Sequence, residues 1–213
     1  MSLPAATGLF LAFLARLITG AQGHWLGSAP KAEQRIYFAN HQSHFDWVLI
    51  WAALPRELRA ATRPIAAREY WTASPLRQWL TREVFNAVYV SRTRGDAAED
   101  PLEPLVEALA SGDSLVIFPE GTRSHRERPQ PFKSGLFHLA ARFPEVPLIP
   151  AWIDNVQRVM PKGEVVPVPI LCSVTFGAPL RLAPGEDKRA FLERARAAVI
   201  ALDNASYGLS AAA

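Results

Sequence analysis

Short apolar runs alternating with helix-type stretches constrain this chain more than any other feature. Arg35–Ala39, Val84–Val90, Ser114–Phe118, Leu148–Ile153 and Ile170–Phe176 are each five to seven residues long and rich in Val, Ile, Leu and Phe. Runs this short and this continuously apolar suit strands buried on both faces. Between and after them lie helix candidates: Phe45–Ala53, Arg68–Thr81 with a break near Pro75, Asp100–Gly112 and Phe132–Phe143. The last helix is capped by Asp187 and gathers Phe191, Leu192, Ala195, Val199 and Leu202 on one face. Leu58–Pro64 reads either way. Asp100 as N-cap, Pro101 at the first helical position and Glu103 at the third give the clearest helix start.

That alternation implies an α/β fold: a single-domain mixed sheet flanked by helices, with its site at the strands' C-terminal ends. A length of 213 residues suits one domain, and 18 prolines argue against a helical bundle. No repeat or linker divides the chain. Its organisation reads as an N-terminal apolar membrane-associating segment over 1–30, one domain over 31–205 and a tail over 206–213. The single cysteine, Cys172, excludes an internal disulfide and reads as a small buried hydrophobe.

Two polar motifs follow two of the apolar runs. Asn40-His41-Gln42-Ser43-His44-Phe45-Asp46 comes after the first run. An imidazole with a carboxylate five positions on is the pairing that activates a hydroxyl. With His41 at the strand's end and Asp46 in the first turn of the next helix, the carboxylate reaches Nδ1 and leaves Nε2 as base. Ser43 would serve as that helix's N-cap. Phe118-Pro119-Glu120-Gly121-Thr122-Arg123-Ser124 ends the third run, where a Gly turn and a guanidinium can hold a phosphate. Arg92 and Lys133 are further cations for the same task. Base and clamp together point to acyl transfer onto a phosphorylated alcohol. Trp47 and Trp51, four apart, read as core.

Charge and the N-terminus bear on partners. The net charge of +3 is unevenly spread, with eight Arg against three Glu between Trp51 and Gly95. Arginine-rich surface bearing tryptophan suits anionic headgroups. Without an RNA-binding or helix-turn-helix pattern, no nucleic-acid partner is expected. Residues 1–30 carry Arg16 as their only charge, and the apolar run Leu9–Ala15 is far short of the ~20 residues a spanning helix needs. A membrane-interface helix fits better, with Trp25 as a headgroup-level anchor. A helix packed on the domain's own core is the plainer alternative.

The motifs carry a resemblance. Asn40-His41-x-Ser43-x-x-Asp46 resembles the His-x4-Asp motif of the glycerolipid acyltransferases, and Phe118–Ser124 resembles their substrate motif. Phe132-Lys133-Ser134-Gly135, Val146-Pro147-Leu148-Ile149-Pro150 and Val174–Pro179 resemble later stretches in the expected order. The nearest branch is the 1-acylglycerol-3-phosphate (lysophosphatidic acid) acyltransferases of bacterial PlsC type. One block departs. Where such chains read Gly-x-x-Phe-x-Asp-Arg, this one has Asn86-Ala87-Val88-Tyr89-Val90-Ser91-Arg92.

The resemblance implies a glycerol-3-phosphate acyltransferase-like fold and direct acyl transfer to lysophosphatidic acid, giving phosphatidic acid in phospholipid biosynthesis. His41 and Asp46 would be catalytic; Glu120, Gly121, Thr122, Arg123, Arg92 and Lys133 would bind substrate. No cofactor is implied, the co-substrate being acyl-CoA or acyl-acyl-carrier protein. Expected partners are a membrane lipid surface, a lysophospholipid acceptor and an acyl thioester donor. The enzyme would be monotopic on the cytoplasmic face of the inner membrane. Another lyso-lipid, such as lyso-ornithine lipid, is the alternative acceptor. A metal-dependent hydrolase built on His41, His44 and Asp46 lacks further ligands in the sequence, so no metal is expected. A membrane-surface protein without catalysis is the remaining rival.

Overall fold

Among the described residues, seven strands form one sheet: β1 (Gln22–Trp25), β2 (Ile36–Ala39), β3 (Thr62–Ala67), β4 (Val88–Val90), β5 (Ser114–Ile117), β6 (Leu148–Ile153) and β7 (Ser173–Phe176). The computed structural model describes residues 2–19, 22–43, 46–91, 100–124, 128–154 and 172–210. Strand order is β1-β7-β6-β2-β5-β3-β4. From β6 to β4 every neighbour is parallel. β7 runs antiparallel to β6, and β1 is parallel to β7, so one edge pair is reversed and the sheet is mixed. β1 lies within the stretch that composition sets apart as N-terminal. Its four residues have no strand-like apolar pattern, and pairing with β7 places them.

The central strands are apolar throughout because both faces are covered. Ile36 to Ala39 are fully buried. Tyr37, Ala39, Val116 and Ile149 face a core shared with α2 (Asp46–Ala53) and with Ala12 and Ala15 of α1 (Leu3–Thr19). Ile36, Phe38, Leu115 and Ile117 face the opposite core. That core also takes in α6 (Glu103–Ala110), α7 (Gly135–Arg142) and α8 (Lys188–Ser210), the last through Phe191, Ala195 and Val199. Asp187 caps α8 through the N–H groups of Arg189 and Ala190. α2 is buried all round, being enclosed between the sheet and α1.

α1 faces both ways. Its small residues Gly8, Ala12 and Ala15 turn inward, and a Cβ on Gly8 would sit 3.4 Å from Val84 and 3.6 Å from Trp51. Leu3, Leu9, Phe10 and Phe13 turn outward. α1 is ~25 Å long by its 17 residues, against a hydrocarbon core of ~30 Å. Among the described residues, no helix is long and apolar enough to cross a membrane. Trp25 stacks on Phe176 at 4.2 Å between ring centroids, a packing role in place of the headgroup anchor expected.

Other boundaries differ for local reasons. Leu58–Pro64 divides between α3 (Arg56–Ala60) and the start of β3. The interrupted helix resolves into α4 (Arg68–Trp71), α5 (Pro75–Trp79) and a π-helical turn over Leu80–Val84. That turn occupies the front of the expected strand Val84–Val90, which is extended only from Val88. Between them Asn86 takes a left-handed conformation at φ 48°. Glycine holds that place in the resembling block, and Asn is among the side chains that tolerate the conformation best. α6 starts at Glu103, with the Asp100 carboxylate accepting the Leu102 N–H at 2.9 Å, so Asp100 and Pro101 form a lead-in turn. Residues 170 and 171 of the last expected strand lie outside the described residues.

Two central strands then place the site. Phe38 pairs with Ile117, an offset of 79 positions, so extending β2 and β5 past their ends brings residue 41 level with residue 120. On the other side, Asn40 ties β2 to β6. Its amide nitrogen donates to the Ile153 carbonyl (3.1 Å) and its oxygen accepts the Ile153 N–H (2.9 Å), all of it buried. Asn40→Ala leaves both backbone groups unpaired. It should lower the unfolding free energy by about 2 kcal/mol in urea titration, since a buried group left unpaired costs ~1–3 kcal/mol. A loss within error would show that the tie is dispensable.

Candidate active site

The carboxylate of Asp46, at the first position of α2, is the hub. Its Oδ2 lies 2.8 Å from His41 Nδ1 and accepts the backbone N–H groups of Gln42 (2.6 Å) and Ser43 (2.9 Å). Three donors on one oxygen wrap the loop after β2 around the helix start, where the helix dipole favours a negative group. His44 and Phe45 lie outside the described residues.

His41 is also held from behind. Its backbone N–H donates to Glu120 Oε1 (2.8 Å), and its carbonyl accepts the Ser124 N–H (2.8 Å). The ring lies face to face with Phe118, 4.2 Å between centroids and 16° from coplanar. With Nδ1 turned to Asp46, Nε2 remains for chemistry, and His41 lines the cavity described below.

Glu120 does not face that cavity. It is buried, its second oxygen accepts the Gln130 N–H at 2.7 Å, and burial pushes its pKa above the ordinary carboxylate value. Both oxygens serve backbone donors, so the expected substrate contact becomes a brace behind His41. Gly121 adopts φ +69°, and a Cβ there would fall 2.6–2.8 Å from the Nζ, Cδ and Cε atoms of Lys133. Only glycine allows both the turn and the lysine crossing over it. The Lys133 backbone is fixed in turn by its N–H to the Pro119 carbonyl (2.8 Å). Arg123 and Lys133 are exposed and line the same cavity as His41. Thr122 is exposed in the same turn, outside the cavity wall. Arg92 lies outside the described residues.

The cavity holds roughly 440 Å³. At its polar end stand His41, Gly121, Arg123 and Lys133; Ile65, Val90, Leu102, Leu105, Leu136 and Leu139 form apolar wall. Such a lining pairs cations at one end with apolar side chains along the wall, a layout that can accommodate an anionic head and a hydrocarbon chain. Trp47 has one edge in this wall and is otherwise core, whereas Trp51 packs on Phe85 and α1. The apolar wall went unseen in the sequence because leucines of α6 and α7 read as ordinary core. The stack of Phe118 on His41 and the tie through Asn40 leave no sequence signal beyond membership of the motifs.

Comparison with known proteins bears on the same residues. The sequence profile of the family described as Acyltransferase matches residues 24–154, more than half of the chain and inclusive of both motifs. The human 1-acyl-sn-glycerol-3-phosphate acyltransferase alpha is 33% identical over 138 residues, covering 63% of this chain and 46% of its own length. A coconut 1-acyl-sn-glycerol-3-phosphate acyltransferase is 31% identical over 167 residues, covering 68% and 50%. This chain therefore spans about half the length of these curated relatives. The crystal structure of the 1-acyl-sn-glycerophosphate (LPA) acyltransferase PlsC from Thermotoga maritima superposes with a TM-score of 0.70 at 23% identity. That match covers 95% of this chain and 79% of the other, and it supports the mixed α/β fold.

The brace makes a prediction. Glu120→Gln cannot offer an acceptor to both N–H groups, so it should destabilise the fold by ~1–3 kcal/mol. It should also lower kcat while leaving the acceptor KM within about twofold. Steady-state kinetics with parallel denaturation check it; a raised KM at unchanged kcat would return Glu120 to the acceptor.

Proposed function

The chain belongs to the acyltransferase family, and on that premise we propose that it transfers a fatty acyl group from a thioester to the free hydroxyl of lysophosphatidic acid. One observation carries the reading: the His41–Asp46 pair opens onto the cavity that Arg123 and Lys133 share. Base and anion site stand together at the polar end of an apolar pocket. The acceptor named for the human and coconut relatives has that chemistry, a phosphate head and one acyl chain.

The reaction is direct. The acceptor phosphate sits between Arg123 and Lys133, and its hydroxyl donates to His41 Nε2. As that proton passes to Nε2, the oxygen attacks the thioester carbonyl. Asp46 holds the Nδ1 proton and stabilises the imidazolium that forms. Collapse of the tetrahedral intermediate releases the thiolate, which takes the proton back from Nε2. Phosphatidic acid and free thiol leave, and His41 is again neutral. The donor is acyl-CoA or an acyl-acyl-carrier protein, with no further cofactor.

The membrane belongs to the same proposal. The outward Leu3, Leu9, Phe10 and Phe13 of α1 lie in the interface of the bilayer that supplies the acceptor, without crossing it. The enzyme is then a monotopic protein on the cytoplasmic face of the inner membrane.

The test is to incubate purified protein with one acyl-CoA and a panel of acceptors, scoring products by mass. Phosphatidic acid should form from lysophosphatidic acid. Arg123→Ala should raise the acceptor KM roughly ten- to a hundredfold, as expected from loss of a charged hydrogen bond worth ~1.5–3 kcal/mol, and leave the donor KM unchanged. Product from lyso-ornithine lipid alone, or a raised donor KM alone, would contradict the assignment.

A further inference from the structure

The segment between β3 and the π-helical turn carries features that the reaction does not use. Tyr70 and Trp71, at the end of α4, form part of the cavity wall beside Trp47, with Trp71 edge-on to Trp47 at 5.6 Å. Five residues on, Leu76 stands 65% exposed in the first turn of α5, and Tyr70 itself is 37% exposed. The Arg77 guanidinium lies 4.6 Å from the centre of the Tyr70 ring, which keeps the cation beside an apolar tip. Arg77 is the only charged residue from Trp71 to Leu80.

The tip is built rigidly. Ser74 caps α5 by accepting the Arg77 N–H, and Pro75 opens the helix. An exposed leucine held in place by a cap and a proline is not a fraying end. Tyr and Trp beside Leu and Arg is the composition found where protein meets lipid headgroups. Arg68, at the start of α4, and Arg82, in the π-helical turn, are exposed. Among the described residues of these elements, Glu69 accepts the Ser91 hydroxyl at 2.8 Å and Glu83 lies 3.8 Å from Arg82. The π-helical turn that follows packs on α1 through Val84 and Gly8, so tip and outward α1 belong to neighbouring elements.

We propose that α4 and α5 form a second lipid-docking element, distinct from α1, which seats on an anionic bilayer with Leu76 inserted and Arg77 among the headgroups. Tyr70 and Trp71 then stand on the lipid side of the cavity, and the acceptor's chain passes along them without leaving an apolar environment. Only that passage rests on the functional reading above. The docking is independent of it. Leu76 enters the acyl boundary while Arg77 keeps its charge in the headgroup layer, as long cationic side chains do.

Leu76→Cys in the full chain, labelled with an environment-sensitive nitrobenzoxadiazole dye, reads the insertion directly. The native Cys172 is buried and its thiol is pushed up to about 12, so the label goes to the new site. Vesicles of phosphatidylcholine and phosphatidylglycerol should blue-shift the dye and raise its emission roughly twofold or more, an effect weakened by salt and by Arg77→Glu. Phe10→Cys labelled in the same way reports on α1. Silence at Leu76 while Phe10 responds would confine docking to α1 and overturn the proposal; silence at both would overturn it too. No substrate is present, so a protein that inserts Leu76 but acylates nothing keeps this inference and loses the functional one.

Discussion

One carboxylate oxygen organises the polar end of this molecule. Asp46 Oδ2 takes the His41 imidazole and the N–H groups of Gln42 and Ser43, and it does so at the head of the helix most deeply enclosed in the fold. Because α2 is packed on every side, the carboxylate cannot drift, and the ring it holds inherits that fixity. An imidazole on a loop is thereby as well placed as one on a strand. The second motif completes the hold by engaging the His41 backbone from both sides and stacking Phe118 on its ring.

The parallel pairing of β2 and β5 explains why two motifs far apart in sequence act as one. Their register fixes residue 41 opposite residue 120, so any shift would separate His41 from the Glu120 carboxylate that holds it. Beyond that point the chain turns at Gly121 and returns through Lys133, leaving two cations at the cavity's polar end. Cation rim and apolar wall share one cavity, charged at one end and hydrocarbon along its side.

Much of this was legible in the sequence, and the parts that were not have common causes. Apolar runs such as Ser114–Phe118 and Leu148–Ile153 are too short and too continuous for anything but buried strands, and they declared the sheet. The reach of Asp46 to Nδ1 followed from placing a strand end and a helix start five residues apart. By contrast, β1 is defined by its partner rather than its residues, and nothing in the residues Leu80–Val84 marks the π-helical turn that packs on α1. Glu120 is instructive. A carboxylate beside Gly-Thr-Arg reads as a substrate contact, and only the register of two strands shows it turned inward to two backbone donors. The cavity was hidden for a similar reason, since a leucine lining a pocket and a leucine filling a core look alike in one dimension.

The Asp46 contact to Nδ1 sets which tautomer the His41 ring adopts, and with it whether Nε2 is free to accept a proton. Nitrogen NMR of the His41 ring, with kcat measured on the same preparations, tests it most directly. The native ring should carry its proton on Nδ1. In Asp46→Asn that preference should be lost while the protein stays folded, and kcat should fall by roughly 10²–10⁴-fold, the span of general-base assistance. An Nε2-protonated ring in the native protein, or an Asp46→Asn variant turning over at the native rate, would contradict it.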